Sequence, residues 1–260
     1  MQRECAKLLT EEQDRFEKTI EAIVKVLGKI LSVSDPLSYE FGQKLKEYTH
    51  ACIEALKLEH GWDLETAAAL ARIGYVTMPA ILIQKVRAGM VLTTSERDMV
   101  THLPEAGRNI LNNFARLENV GKIVYYQNKN FDGAGFPVDS IGGVNIPMGS
   151  RLLRILADII QSEADGTSKG KAIDKLKATS GLYDLKLLQD VTVALSSGPK
   201  KGRPIHLKHL CVGQTLVEAI ETADGTLILN AGNRITPWML KKLNNFVEMS
   251  GVKEPIYVED

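Results

Sequence analysis

Cysteine is almost missing from this chain: Cys5, Cys52 and Cys211 are all that 260 residues hold. An odd number of widely spaced thiols supplies neither a disulfide frame nor the paired spacing of a zinc site, and reads as reduced thiols in a cytosolic protein. An excess of one charge is missing too. Thirty-two Lys and Arg are matched by 32 Asp and Glu, which excludes the basic excess that a nucleic-acid-binding face needs. No apolar run approaches the ~20 residues of a membrane helix, and the N-terminus lacks the apolar stretch of a signal peptide. The expectation is a cytoplasmic protein with no nucleic-acid and no membrane partner. What is present is an ordinary 44% of apolar residues, enough for a sizeable core.

The patterning is helical for most of the length. Leu9 to Leu31 reads as a helix in which Phe16, Ile20, Ile23, Leu27 and Ile30 recur in steps of four and three, the seam of a coiled coil. Val24 and Val26 widen the apolar face, so two readings stand: the seam of a homodimer, and a core helix packed on the next domain. Thr10 with Gln13 fits a capping box, and Asp35-Pro36 ends the element. Further helices are expected over Phe41–His60, over Leu64–Ile73 capped by Asp63 and stopped at Gly74, and over Ala80–Val86. Others start at Thr93 or Thr94, run from Glu105 to Phe114 behind Pro104, from Leu117 to Gln127, and from Met148 to Ser162 behind Pro147. Ser196 to Pro204 is a linker by composition. Beyond it, Thr215–Ile220 and Thr226–Leu229 flank Asp224-Gly225 as a hairpin, Thr236 caps a helix through Leu240, Leu243 and Phe246, and Ile256–Val258 returns as a strand. The division expected is an N-terminal linker or dimerisation helix over residues 1–35, a helical domain over 36–197 and a small α+β module over 204–260.

Between the last two helices of the central region lies a glycine loop, Asp132-Gly133-Ala134-Gly135-Phe136-Pro137. Two glycines in three residues allow positive φ or close backbone approach, and Pro137 ends the turn. Gln127-Asn128-Lys129-Asn130-Phe131 precedes it. Ile141-Gly142-Gly143-Val144-Asn145-Ile146-Pro147 comes after it, then Arg151 to Asp158. This frame resembles the HD-GYP family, bacterial metal-dependent phosphodiesterases of cyclic di-GMP. The resemblance covers about Ser38 to Leu195 and implies a mainly α, HD-domain-like helical bundle.

It also implies where metal ligands should stand. The family's first histidine, after a glycine, falls on Gln43 behind Gly42. Its His-Asp pair falls on Ala71 and Arg72, before Ile73-Gly74, and the lysine after that pair on Tyr75. The next histidine falls on Leu103, before Pro104 and Gly107. The paired histidines ahead of the loop fall on Gln127 and Asn128, and the glutamate after them on Lys129. Asp158 alone survives, with Gln161 in place of a second acid three residues on. Hydrolysing a phosphodiester at neutral pH commonly takes two or more metal ions held by converging His, Asp and Glu. One carboxylate cannot hold such a site, and Arg72 would repel a divalent ion. The resemblance therefore implies a pseudoenzyme with no metal and no cofactor, acting through protein contacts and open to binding a cyclic dinucleotide without cleaving it. The alternative is a phosphohydrolase with a rebuilt metal site.

The remaining candidates are weighed against plainer roles. His102 adjoins a ligand position, but Pro104 and Gly107 fix the register. His50 and His60 read as surface or capping residues, and His206 with His209 lack acids beside them. Lys85 and Arg87 are candidates for anion contacts, or are solvated. Phe136 replaces a tyrosine and packs the loop down. In the family this loop contacts diguanylate cyclase domains, so a partner of that type is one expectation. Leu210-Cys211-Val212-Gly213 and Asp224-Gly225-Thr226-Leu227 also resemble the C-terminal module of a group of response regulators. Those carry a phosphoacceptor receiver domain in front, which makes a receiver the other expected partner. No receiver lies in these residues, which leaves a fragment and a natural short form both open. Finally, Asp158 sits among Ile155, Leu156, Ile159 and Ile160. Buried, it needs a partner. The favoured one is Arg72 and the local rival is Arg154, one turn earlier.

Overall fold

The computed structural model of the chain describes residues 2–196, 203–222 and 225–259. They fall into two compact units, Met1–Ser196 and Ser197–Asp260. The first is all helix: α1 (Gln2–Ser34), α2 (Pro36–Leu56), α3 (Gly61–Ala69), a 3₁₀ segment (Ile73–Thr77), α4 (Ala80–Arg87), α5 (Thr94–Thr101), α6 (Leu103–Leu111), α7 (Glu118–Tyr125), α8 (Met148–Ala164), α9 (Lys169–Lys177) and α10 (Leu185–Ser196). This is the helical bundle expected. Its centre is α8, on which Leu152, Ile155, Leu156 and Ile159 are fully buried. Each such side chain contributes roughly 1.5–3 kcal/mol relative to an exposed one.

Helix α1 differs from expectation in two ways. It begins at Gln2, so Thr10 lies inside the helix rather than at its start. The residues ahead of it, including Glu4, Ala6, Lys7 and Leu8, are strong helix formers that carry the helix past the capping signal. The expected five-residue seam is also split. Ile20 and Leu27, with Leu31, are buried in the core of the bundle, a stripe at i, i+7 and i+11 that fits one face. Ile23 is half-buried, the Ile30 side chain faces outward, and the side chain of Phe16 lies outside the described residues. An exposed row remains at Val26, Ile30 and Val33, continued by Leu37 at the start of α2.

Asp35 joins α1 to α2. Its carboxylate accepts hydrogen bonds from the Ser38 backbone N–H at 3.2 Å and the Ser38 hydroxyl at 2.7 Å, and it pairs with Arg87. Helix α2 therefore starts at Pro36 rather than Phe41, with proline in the first turn where its missing N–H costs nothing. Burial acts to raise the Asp35 pKa, but the Ser38 bonds and Arg87 outweigh it and hold the carboxyl below its usual range. A depressed folded-state pKa contributes stability above the unfolded value, lost as pH falls through the folded value. Asp35→Ala is thus expected to cost about 2 kcal/mol near pH 7. The difference from the parent should shrink below about pH 4, which urea unfolding at pH 7 and pH 3 measures.

Asp63 is not the cap expected for the third helix. It lies in the first turn of α3, and its buried carboxylate accepts from Arg116 at 3.1 Å and Asn119 at 2.6 Å. Thr93 does cap α5, in a capping box with Glu96. Two glycines let backbones pass closely. A Cβ on Gly42 would lie 2.5 Å from the Ala69 carbonyl oxygen, and one on Gly74 would lie 2.1 Å from that of Leu103.

The second unit is a small α+β module. β1 (Arg203–Ile205), β5 (Ile256–Glu259) and β2 (Thr215–Leu216) form an antiparallel sheet in that order, and β3 (Ile220–Glu221) pairs with β4 (Leu227–Leu229). Thr236 caps α11 (Pro237–Ser250) by accepting from the Met239 N–H. The turn and the returning strand match expectation, with Gly225 at φ 86°, while Asp224 lies outside the described residues. The first arm of the hairpin is corrected: it is Ile220–Glu221, and Thr215–Leu216, expected in that arm, pairs with β5 instead. β1 is a correction: Arg203 and Pro204, read as linker, pair with Val258 and Tyr257. Proline is tolerated there because β1 is an edge strand.

Candidate functional site

Five regions of the first unit converge on a cavity of about 210 Å³. Phe41 comes from α2. Ala71, Arg72, Gly74 and Tyr75 come from the turn after α3, and Val100, Leu103 and Pro104 from the α5–α6 corner. Gln127 and Asn128 come just after α7, and Ala157, Asp158 and Gln161 come from α8. Six positions singled out in the sequence, Ala71, Arg72, Leu103, Gln127, Asn128 and Asp158, are thus brought together. Gln43 is not: it is half-buried on α2, and Phe41 lines the cavity from that helix instead. Leu103 rather than His102 faces the cavity. The His102 ring lies edge-on to Phe136, 4.9 Å between centroids, and its Nδ1 is 2.8 Å from the Asp98 carbonyl oxygen.

The lining holds one acid, one permanent cation, neutral amides and apolar walls. Among the described residues, no group of three or more His, Cys, Asp or Glu is placed to hold a metal ion. Asp158 is a third exposed, because its neighbours Ile155 and Ile159 point into the core while it faces the cavity. Tyr183 donates its hydroxyl to Asp158 Oδ2 at 2.7 Å, and Arg154 Nε lies 3.1 Å from the same oxygen. That Nε makes no aligned hydrogen bond, so Arg154 acts on Asp158 mainly as a nearby charge. Burial and the Asp158 carboxylate push the Tyr183 hydroxyl well above its ordinary pKa, which keeps it a donor.

The expected pairing of Arg72 with Asp158 is therefore corrected: the local rival Arg154 takes that place, with Tyr183 beside it. Arg72 instead stacks on Phe41, its guanidinium carbon 3.5 Å from the ring centre, with the Tyr75 ring at 5.7 Å. Burial pulls its pKa below the ordinary guanidinium value, against the opposing charges of Tyr75 and Asp35. Gln127 donates to the Ala71 carbonyl at 2.7 Å and so ties two walls together. Lys85 and Arg87, the candidates for anion contacts, are both engaged away from the cavity. Lys85 pairs with Glu96 at 2.6 Å and Arg87 with Asp35, because each lies on α4 opposite an acid that also caps a helix.

The glycine loop leaves the cavity at Asn128. Gly135 has φ 84°, and a Cβ there would lie 2.7 Å from the Asn128 carbonyl oxygen, so both reasons for glycine apply. Phe136 is buried, as expected. Lys129 had no role assigned from the sequence, and it turns out to hold the loop. Its side chain is fully buried, and its Nζ donates to the Pro137 carbonyl at 2.5 Å and pairs with Asp139 Oδ1 at 3.0 Å. The loop backbone also docks on the segment before Tyr183: the Phe131 and Asp132 N–H groups donate to Leu182 and Gly181 at 3.0 and 2.8 Å. Phe41, Lys129 and Tyr183 are what the sequence reasoning missed. Only Lys129 left a signal, a lysine with Asp139 ten residues further on.

Comparison with known proteins agrees with this fold. The HD domain family matches residues 25–187. Among solved structures, the chain is similar to the HD domain of the phosphodiesterase PgpH from L. monocytogenes, at 11% identity over 66% of this chain and 95% of that one, TM-score 0.51. It is similar to a cyclic GMP-AMP specific phosphodiesterase of V. cholerae at 18% identity over 68% of this chain and 49% of that one, TM-score 0.52. An HDG"Y"P protein from Bdellovibrio bacteriovorus aligns at 16% identity over 61% of this chain and 52% of that one, TM-score 0.49. The chain thus spans about half the length of the last two. No curated protein matches it. Among the described residues, no single helix is long and apolar enough to cross a membrane.

Proposed function

The chain belongs to the HD domain family, and on that footing we propose that it is a catalytically inactive, HD-GYP-like output or scaffold domain of a bacterial signalling system. The observation that carries the reading is the composition of the cavity. Where a phosphodiesterase of this fold would need converging histidines and acids, the lining offers Arg72, Ala71, Leu103, Gln127, Asn128 and one engaged carboxylate, Asp158. The fold is kept and the chemistry is not. The solved neighbours are phosphodiesterases by their descriptions, one of them specific for cyclic GMP-AMP, and in this reading their cleavage is what the chain has lost.

The expected result is no hydrolysis of cyclic di-GMP or cyclic GMP-AMP by purified protein supplied with manganese or iron, and no stoichiometric metal on elemental analysis. Turnover that persists through repurification and vanishes in Asp158→Ala would establish the phosphohydrolase alternative instead.

Action then falls to protein contacts, with a receiver domain or a diguanylate cyclase-type domain as partner classes, and with a second copy of the chain. For the last, the surface in this reading is the row Val26, Ile30, Val33 and Leu37, exposed at 47–74%. Along α1 the spacing of four and then three, Val26 to Ile30 to Val33, is that of a helix pairing with its own copy. A dimer is expected in sedimentation at micromolar concentration, and Ile30→Glu with Val33→Glu should leave a folded monomer. An unchanged sedimentation coefficient in the double variant would remove this surface from the reading.

A further inference from the structure

Arg72 is the one cation in the lining of the cavity, and nothing in the described chain answers it. Its guanidinium is in no hydrogen bond or ion pair among the described residues; its contacts are the rings of Phe41 and Tyr75. The nearby acid Asp35 is already engaged by Ser38 and Arg87, and Asp158, which shares the lining, by Tyr183 and Arg154. Stacking on Phe41 occupies a flat face of the guanidinium. Its N–H donors lie in the plane, at the edge, where stacking leaves them free. The side-chain amide of Asn128 also lines the cavity without a hydrogen bond among the described residues, while that of Gln127 is spent on Ala71. Ala71, Leu103 and Ala157 supply apolar wall.

A planar fork of free donors, held rigid by stacking in a partly dry cavity, is suited to a two-oxygen anion. We infer that the cavity is a metal-free receptor for a small monoanionic oxyanion, a carboxylate or a phosphodiester, gripped by Arg72 with Asn128 beside it. The inference rests on the reading that the cavity holds no catalytic metal, and deepens it: a place built elsewhere for cations takes an anion here. A single negative charge is specified because Asp158 shares the lining. A dianion would gain from Arg72 but meet the repulsion of Asp158 twice over. Carboxylate and phosphodiester present the same pair of oxygens with the same charge, so only direct comparison separates them.

The test is calorimetric titration of the full chain after treatment with a chelator. The probes are propionate, dimethyl phosphate and cyclic di-GMP, with inorganic phosphate at pH 8 as a dianion. Saturable binding of at least one monoanion is expected without added metal, with phosphate weaker by several-fold. Propionate alone identifies a carboxylate ligand; the two phosphodiesters alone identify the other source. Arg72→Gln should weaken the bound probe on the order of tenfold or more. Asp158→Asn, which keeps the shape of the side chain, should tighten it by about threefold or more as the opposing charge goes. The second variant keeps the test decisive should Arg72→Gln fold poorly, since a merely structural Arg72 predicts no gain from Asp158→Asn. Absence of binding by folded, metal-free protein overturns the inference and leaves the inactive reading standing. Binding that Asp158→Asn leaves unchanged also overturns it. Binding that appears only with manganese, together with hydrolysis, overturns the inactive reading itself.

Discussion

Gly74→Ala is expected to lower the stability of the helical unit by about 3 kcal/mol, at the upper end of what overpacking costs. The added Cβ would lie 2.1 Å from the Leu103 carbonyl oxygen and 3.0 Å from the Gly107 backbone nitrogen. Both are main-chain atoms of α6 and cannot rotate aside as a side-chain tip would. The 3₁₀ segment and α6 must move apart, and that separation pulls Arg72 and Tyr75 away from Leu103 and Pro104, the facing walls of the cavity. The variant should therefore lose both stability and cavity shape. Urea unfolding measures the first, and the natural comparison is Gly170→Ala. Gly170 lies in α9 with open space where its Cβ would stand, so that change should stabilise by roughly 0.5–1 kcal/mol. A loss below about 1 kcal/mol for Gly74→Ala would mean that the contact relaxes without consequence.

Lys129→Met should cost about as much, roughly 3 kcal/mol, for an electrostatic reason. Methionine keeps most of the stem's volume, so the change isolates the ammonium group. Without it the Pro137 carbonyl loses its donor and Asp139 its buried partner. Burial acts to raise the Asp139 pKa, but Lys129, the Ile141 N–H and the Tyr126 hydroxyl prevail and hold it below the usual carboxylate range. Stability from this group is thus present at neutral pH and lost as pH falls through its lowered folded value. The deficit of Lys129→Met should accordingly be largest near pH 7 and shrink below about pH 4. Hydrogen exchange adds a local readout. The Gly133 and Gly143 amides donate to the Asn130 and Phe131 carbonyls within the loop and should lose protection before the α8 amides do. Parent-like stability at pH 7 would show that Lys129 is a passenger in the loop.

Much of this fold was legible because helices announce themselves by caps and periodicity, and because the resemblance rested on glycines. Gly42 and Gly74 are positions where backbone passes backbone, with Gly107 facing Gly74. A sequence can exchange every metal ligand and keep these residues, since packing needs them whatever the chemistry. Helix starts were less legible. Thr10-x-x-Gln13 and Thr93-x-x-Glu96 both carry the capping pattern, and only the second stands at a helix start, because strong helix formers precede the first. The candidate site was legible in location and illegible in pairing. Six of the positions met as the resemblance implied, yet the partner of Asp158 came from Tyr183, 25 residues on, in a segment with no pattern of its own. Arg72 was expected to seek a carboxylate; the local geometry gave it Phe41 instead. Local i,i+4 pairs and aromatic stacking form whenever backbone brings them close, and no one-dimensional pattern ranks them against a long-range ion pair.

The hold on Asp158 bears on any attempt to evolve a metal site back into this cavity. Histidines placed at positions 71, 103, 127 and 128 would meet a carboxylate already bound by Tyr183 and neighboured by Arg154, and a stacked cation, Arg72, in the same lining. The first reversion on such a path gains no metal affinity and disturbs packing, and so does the second. Affinity returns only once Arg72 has also been replaced and Tyr183 has released its oxygen. A selection that proceeds by single substitutions would see several neutral or harmful steps before any benefit. On the inactive reading, the cavity behaves as a ratchet: the residues that now line it would keep metal ligands from being gained one at a time.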